Sequence, residues 1–314
     1  LYPGDYIIKI AKKIIKNNSN IKFDNFEDSF KVLKKLSLKE SMSMIKDDLK
    51  LLGIKHDNFF SETEIVSKDL VIKAVNNLKD KKFVEEGYLD PPKGTASRNW
   101  KKNKRLIFKS TLFGDDTDRA LQKDDGSWTY FANDIAYHMD KINRKFSKLI
   151  NILGADHTGY IKRISSAVSA LSNKNVKLSC KVCQLVKLYK NGQPFKMSKR
   201  LGDFISVNDL LKEVNKDSIR FMMLNRGNDV ELDFDFNKVL EKNKDNPVFY
   251  VQYCYARINS LFRSLNLNLN KEIKIDKNNF ELNDYDLRLM RKIIEWPKVL
   301  DIASKKLERH RVTF

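Results

Sequence analysis

The chain has 314 residues, 41% hydrophobic and 32% charged, which fits a soluble globular protein of about two domains and excludes a disordered chain. No apolar run approaches the roughly 18–20 residues of a membrane span and no basic-then-apolar leader opens it, so no membrane partner is expected. The formal charge of +19 points to a polyanionic partner such as nucleic acid, although only 14 of the 60 basic residues are arginine and the richness in Lys, Asn and Ile fits a coding bias too. Cys180, Cys183 and Cys254 are too few for a disulfide framework and suit a reducing compartment, so a cytoplasmic location is expected.

The first ~100 residues read mostly as helices. Residues 38–52 have an amphipathic pattern that stops at Gly53, a natural C′ residue. Ser61-Glu62-Thr63-Glu64 is a candidate capping box, after which Ile65, Leu70, Val71, Ala74, Val75 and Leu78 form a buried stripe. Asp90-Pro91-Pro92-Lys93-Gly94 breaks the pattern as a loop, and the basic run Lys101-Lys102-Asn103-Lys104-Arg105 precedes a short strand, Leu106-Ile107-Phe108. Turns follow at Gly114-Asp115-Asp116 and Asp125-Gly126. Leu149-Ile150-Asn151-Ile152-Leu153 then reads as a strand ending at Gly154, followed by a helix through Leu171. Strand, glycine turn and helix form the unit of a parallel α/β sheet. Residues 176–189 are again strand-like, turning at Asn191-Gly192, and helices are expected from Val207 through Leu224. Beyond 232 the pattern is helical throughout. Asn246-Pro247 forms a good cap, and Val248, Val251, Tyr255, Ile258 and Phe262 repeat at helical spacing. A domain boundary is therefore placed near residue 232, with an Asn/Lys-rich connection over 265–279.

Several patterns could hold chemistry. Lys196-Met197-Ser198-Lys199-Arg200 lies between Gly192 and Gly202. Two lysines three apart can bring compact charges on long stems to a polyphosphate, or the run can be a solvated turn. Gly154-Ala155-Asp156-His157-Thr158-Gly159-Tyr160 follows a strand directly, at the place where open α/β sheets bind ligands. There Asp156 could accept from ribose hydroxyls and His157 could reach a phosphate or a base; the alternative is a tight turn with a capping aspartate. The other histidines, His56, His138 and His310, have no comparable setting. Tyr130 and Asp134 share a helical face and suit a cationic side chain, or are a helix carboxylate beside a core tyrosine. Cys180 and Cys183 lack the further ligands of a metal site. Phe249, Tyr250, Tyr253 and Tyr255, at helical spacing, are expected mostly in a core. The common phosphate-loop, hydrolase, zinc-helix and EF-hand signatures are absent.

In their order these pieces resemble class I aminoacyl-tRNA synthetases, specifically the arginyl-tRNA synthetase family. The densest stretches are Phe108–Asp116, Thr129–Tyr137, Gly154–Tyr160, Lys196–Arg200 and Asn246–Tyr253. The resemblance implies a Rossmann-type parallel-sheet nucleotide-binding catalytic domain over 1–232 with a helical insertion at roughly 20–100, then an all-α anticodon-binding domain over 233–314. It implies that arginine attacks the α-phosphate of ATP, with Mg2+ expected, and that the arginyl group passes to tRNA-Arg. Lys196 and Lys199 would be catalytic, with Met197, Ser198, Gly154, Asp156 and His157 on ATP and Tyr130 and Asp134 on arginine. A monomer is expected.

Two departures count. Arg200 stands where the lysine motif usually ends in Ser, and no H-x-G-H pair is present. Tyr2-Pro3-Gly4-Asp5 looks like family sequence downstream of that pair, and the end looks internal to the anticodon domain, so a fragment, inactive alone, is expected. The alternatives are a class I synthetase of other specificity, which a cation receptor at Tyr130 and Asp134 argues against, or a non-catalytic tRNA-binding remnant.

Overall fold

The computed structural model describes residues 4–21, 25–89, 103–195, 205–268 and 281–313. The expectations on Tyr2-Pro3, the Asp90–Gly94 loop, Lys101-Lys102, the Lys196–Arg200 run and most of the 265–279 connection lie outside the described residues. Two compact units are present, one formed by residues 1–55 with 186–314, the other by His56–Leu185.

The first unit opens with helices α1 (Asp5–Asn17) and α2 (Phe26–Leu51). Asn25 starts α2 by accepting from the Glu27 amide, and Gly53 (φ +68°) ends it in the left-handed conformation that glycine adopts without strain. Residues 38–51 are thus only the second half of a 26-residue helix, which packs on α1 and leaves Phe26, Phe30 and Val32 of its first half exposed.

The second unit follows in chain order. Helices α3 (Glu62–Ser67) and α4 (Leu70–Asp80) are separated at Asp69, whose φ of +51° breaks the stripe expected of one helix. The stripe itself is buried at Ile65, Val71, Ala74, Val75 and Leu78. The capping box is not formed: Ser61 makes no side-chain cap, and Glu64 is drawn instead to Lys68 at 2.6 Å. Strands β1 (Val84–Gly87), β2 (Arg105–Phe108) and β3 (Arg119–Ala120) form an antiparallel sheet. Then come α5 (Tyr130–Asn143), β4 (Lys148–Gly154), a 3-10 turn (Ala155–Tyr160), α6 (Ile161–Leu171) and β5 (Lys177–Cys183). Strands β4 and β5 pair in parallel with Leu149 opposite Leu178, the β-α-β unit expected. Leu78, Phe108, Leu121, Ile135 and Ile164 are fully buried and join helices and sheets in one core.

The first unit resumes with β6 (Val186–Lys190) and β7 (Gln193–Pro194), joined at Asn191-Gly192. Both turn residues have positive φ (54° and 71°), as a two-residue hairpin requires. Helices α7 (Val207–Glu213) and α8 (Lys216–Asn225) lead to β8 (Leu232–Asp235), which pairs parallel to β6. Phe234, Phe236 and Val239, the last two on α9 (Phe236–Leu240), pack with Val214 and Ile219. Arg220 donates to the Leu52 carbonyl at 3.0 Å and so closes the C-terminal end of α2. Helices α10 (Pro247–Ser264) and α11 (Asp284–Lys306) complete the unit. The expected core role of the α10 aromatics fails. Tyr250, Tyr253 and Tyr255 are exposed, as are Val251 and Ile258, because the face that packs toward α8 buries Val248 and leaves the rest of the stripe open.

Candidate functional site

The site is built on α5 and the turn after β4. Thr129 fixes the start of α5: its hydroxyl accepts from the Ala132 amide at 3.3 Å and donates toward the Leu121 carbonyl at 3.2 Å. With the helix so pinned, Phe131, Ala132, Ile135 and Ala136 enter the core. Asp134, Tyr137 and Lys141, spaced i, i+3 and i+7, are left on another face.

That face borders a cavity of about 320 Å3, lined among others by Asp134, Tyr137, His138, Lys141, Asn151 and Tyr160. The Tyr160 hydroxyl donates to Asp134 Oδ2. Burial first, and then the Asp134 charge, push the phenol well above its ordinary value, so it remains a neutral donor. Tyr130, one turn before Asp134, is not part of the core: it is 79% exposed, with the Lys123 ammonium 5.7 Å from its ring centre, and it is not among the cavity-lining residues.

Behind Asp134 lies a chain of polar contacts. The Lys141 ammonium donates to Asn151 Oδ1 at 3.2 Å and lies 4.3 Å from the Tyr137 ring centre. Asn151 Nδ2 lies 2.9 Å from His138 Nε2, and His138 Nδ1 lies 2.8 Å from the Asp134 carbonyl oxygen. With the amide donating to Nε2, the remaining proton sits on Nδ1 and points at that carbonyl. Burial, then the Lys141 charge, lower the His138 pKa, which keeps the ring neutral. Burial also lowers that of Lys141, with Arg144 adding to the effect. The sequence singled out His157 and passed over His138. His138 is 4% exposed and fully engaged, whereas the His157 side chain is 59% exposed. Its i+4 relation to Asp134 was the available signal.

At the end of β4, Gly154 has ordinary dihedrals (φ −70°, ψ 161°), but a Cβ there would lie 2.6 Å from Asp156 Oδ1, so glycine leaves room for that carboxylate. Asp156 and His157 face solvent, with Nε2 and Oδ2 3.5 Å apart. The expected immediate α-helix is displaced: the 3-10 turn intervenes, held by Thr158 Oγ1 donating to the Ala155 carbonyl at 2.7 Å, and α6 starts only at Ile161. Neither Asp156 nor His157 lines the Asp134 cavity.

The segment Ser110–Arg119 braces this unit. Arg119 grips Asp115 through two bonds, Nε to Oδ2 at 2.7 Å and Nη2 to Oδ1 at 2.8 Å, and the Ser110 hydroxyl adds a third at 3.0 Å. Burial works against the Asp115 charge, yet Arg119, the Asp116 amide and Ser110 outweigh it and hold the carboxyl below its ordinary range.

Comparison with known proteins matches this architecture. Residues 5–262 match the family "tRNA synthetases class I (R), catalytic domain", and residues 251–314 match "DALR anticodon binding domain". The arginine–tRNA ligase of Pelagibacter ubique is 58% identical over 99% of this chain and 54% of that protein; the corresponding ligase of Ehrlichia chaffeensis is 46% identical over all of this chain and 54% of that protein. A solved structure, a putative arginyl-tRNA synthetase from Campylobacter jejuni, superposes with a TM-score of 0.83 at 29% identity, covering 99% of this chain and 64% of that one. The arginyl-tRNA synthetase of Thermus thermophilus shares the fold with a TM-score of 0.70 at 18% identity, over 92% of this chain and 57% of its own. The chain belongs to the arginyl-tRNA synthetase family of class I tRNA synthetases. It spans about half the length of the curated relatives it matches.

Proposed function

We propose that this chain supplies the arginine-recognising part and the adenylate-forming lysines of an arginine–tRNA ligase. The observation behind this reading is the Asp134 carboxylate on the α5 cavity, oriented by a neutral phenol and not by a cation, so that its charge is free for a guanidinium. Tyr130, exposed and outside the cavity lining, would have to turn its ring face over the bound side chain and away from Lys123. ATP enters as its Mg2+ complex; Gly154, Asp156 and His157 would meet its adenosine side, and Met197 and Ser198 would line the triphosphate side.

In the first step an arginine carboxylate oxygen attacks the α-phosphorus and the bond to pyrophosphate breaks. Negative charge grows on the phosphate oxygens as it does so. Lys196 and Lys199 would neutralise that charge, with Lys199 acting chiefly in the transition state. The arginyl group would then pass to the 3′-terminal adenosine of tRNA-Arg. The proposed division places catalysis in 1–232, with a helical insertion at roughly 20–100, and anticodon binding in 233–314. We further propose that the protein is cytoplasmic and monomeric. No helix among the described residues is long and apolar enough to cross a membrane.

Arginine-dependent ATP–pyrophosphate exchange, measured with tRNA present in the full-length polypeptide that includes this chain, tests the reading. Lys199→Ala should slow exchange by about 100-fold or more with little change in arginine affinity. Asp134→Ala should weaken arginine binding by about 30-fold or more, the effect of stripping the partner from a desolvated cation. Unchanged arginine binding in Asp134→Ala would show that the pocket assignment is wrong.

A further inference from the structure

A carboxylate that recognises a planar cation must be held at the right angle, and on α5 the Asp134 side chain has two rotatable bonds and, among the described residues, one hydrogen-bond donor. That donor is the Tyr160 hydroxyl, brought from 26 residues away by the turn after β4. The Tyr160 ring is itself held on two sides. Phe131, on the α5 core face, meets it edge-on with ring centres 6.1 Å apart and planes at 87°. The Arg163 guanidinium, three residues further along the chain, lies 5.3 Å from its centre and 5.8 Å from that of Phe131. Arg163 Nε is buried and has no hydrogen-bond partner among the described residues. That is costly for a guanidinium with no compensation, and the two aromatic faces are the compensation the fold provides.

We propose that Tyr160 is the positioning residue that aims the Asp134 carboxylate, and that Arg163 holds Tyr160 in place for that task. This rests on the reading of Asp134 as the arginine receptor. The choice of a phenol has a chemical logic. A lysine or arginine donor would orient the carboxylate equally well but would neutralise it, and a neutralised carboxylate has little to offer a guanidinium. The Lys141 ammonium, which lines the same cavity and feels the Asp134 charge, bonds to Asn151 and lies over the Tyr137 ring instead of binding the carboxylate, and Arg144 is paired with Asp140 at 3.1 Å. The Arg163 charge behind the ring withdraws electron density from it, which makes the hydroxyl a stronger donor without taking a bond to the carboxylate. Tyr160 uses Oδ2, and Asp134 Oδ1 has no other donor among the described residues. One edge of the carboxylate is therefore fixed by protein while the other is left to the ligand. Tyr160 shares the cavity lining, but its hydroxyl is committed to Asp134, so its proposed effect on the substrate runs through that carboxylate; Arg163 is not among the lining residues and acts through Tyr160.

The test is a double-mutant cycle on arginine binding to the full-length polypeptide, read by calorimetry, with kcat and KM from exchange assays. Tyr160→Phe keeps the ring and removes the hydroxyl. It should raise the arginine Kd and KM by about tenfold, the worth of one hydrogen bond to a charged group, and leave kcat within about twofold. In an Asp134→Asn background the same substitution should change the Kd by less than about twofold, because the coupling vanishes when its object is gone. Arg163→Leu should shift KM in the same direction by about threefold, the scale of one cation–π contact, while Arg163→Lys recovers part of it. The proposal is overturned if Tyr160→Phe leaves the Kd unchanged, or raises it equally in both backgrounds, or lowers kcat and not affinity. If Asp134→Asn itself leaves arginine binding intact, the receptor assignment fails first; if Asp134→Asn weakens binding and Tyr160→Phe does not, only the positioning role fails.

Discussion

His138 is 4% exposed, and both ring nitrogens are engaged, one against the Asp134 carbonyl and the other against the Asn151 amide. A second proton on this ring would have to go on Nε2, where it would face the Asn151 N–H instead of accepting from it, with the Lys141 ammonium close behind. The folded pKa is accordingly depressed below the ordinary 6.5, first by burial and then by Lys141. Between that lowered value and 6.5 the unfolded chain binds the proton and the folded chain does not. The stabilisation is therefore fully present above about pH 6.5 and is lost as pH falls through the folded value, with a slope of up to about 1.4 kcal/mol per pH unit. Melting temperatures at pH 7.5 and 5.5 should show this as a drop in the native protein that is smaller in His138→Gln. An equal drop in both would place the acid-sensitive group elsewhere. The four-residue spacing of Tyr130 and Asp134 offered two readings in the sequence, a receptor for a cation or a helix carboxylate beside a core tyrosine, and the 79% exposure of Tyr130 removes the core tyrosine. Its hydrogen-bond companion was not legible, since Tyr160 reaches it only from the turn after β4, and spacing along a chain says nothing about partners from another element.

At the scale of elements, Lys81 joins two helices. It follows α4, and its ammonium donates to the Ala170 and Leu171 carbonyls at 3.3 and 2.7 Å, the open end of α6. Those carbonyls carry the negative end of the helix dipole. Lys81→Met keeps most of the stem and removes the charge, so it should cost about 1–2 kcal/mol in denaturant unfolding, seen as a lower midpoint at unchanged slope. The β-α-β unit, the Asn191-Gly192 hairpin and the Gly53 stop were readable because each is set by local chemistry: an apolar run, a positive-φ pair, a residue without a side chain. The Ser61 box was misread because Glu64 had a second suitor in Lys68, four residues on. The α10 stripe was misread for a different reason. Helical periodicity marks which residues could be buried, but burial needs a facing element, and among the described residues the main element packed on α10 is α8.

On the scale of the whole molecule, the formal charge is +19 and most of the basic residues are lysine. Most of the ion pairs are exposed, such as Lys162 with Asp116 and Lys187 with Glu231, and add little to stability. Long-range attraction comes instead from the net excess of 60 basic over 41 acidic residues. If tRNA is the partner, binding should weaken by at least about tenfold between 50 and 200 mM salt, with a straight line in log–log coordinates. A flat salt response in a filter-binding or anisotropy titration would mean that the charge reflects composition alone.

Strand β4 pairs with β5 on one side, and no other strand among the described residues pairs with its opposite edge, beside which Ile150 and Ile152 are 44% and 65% exposed. Half of its backbone amides and carbonyls therefore point away from β5, flanked by branched apolar side chains, which is the composition that recruits a strand from another molecule. A chain of this sequence handled on its own should therefore associate as its concentration rises; a lysine at position 150 or 152 would oppose that association but, since both isoleucines line the Asp134 cavity, would also set a cation beside the proposed arginine receptor.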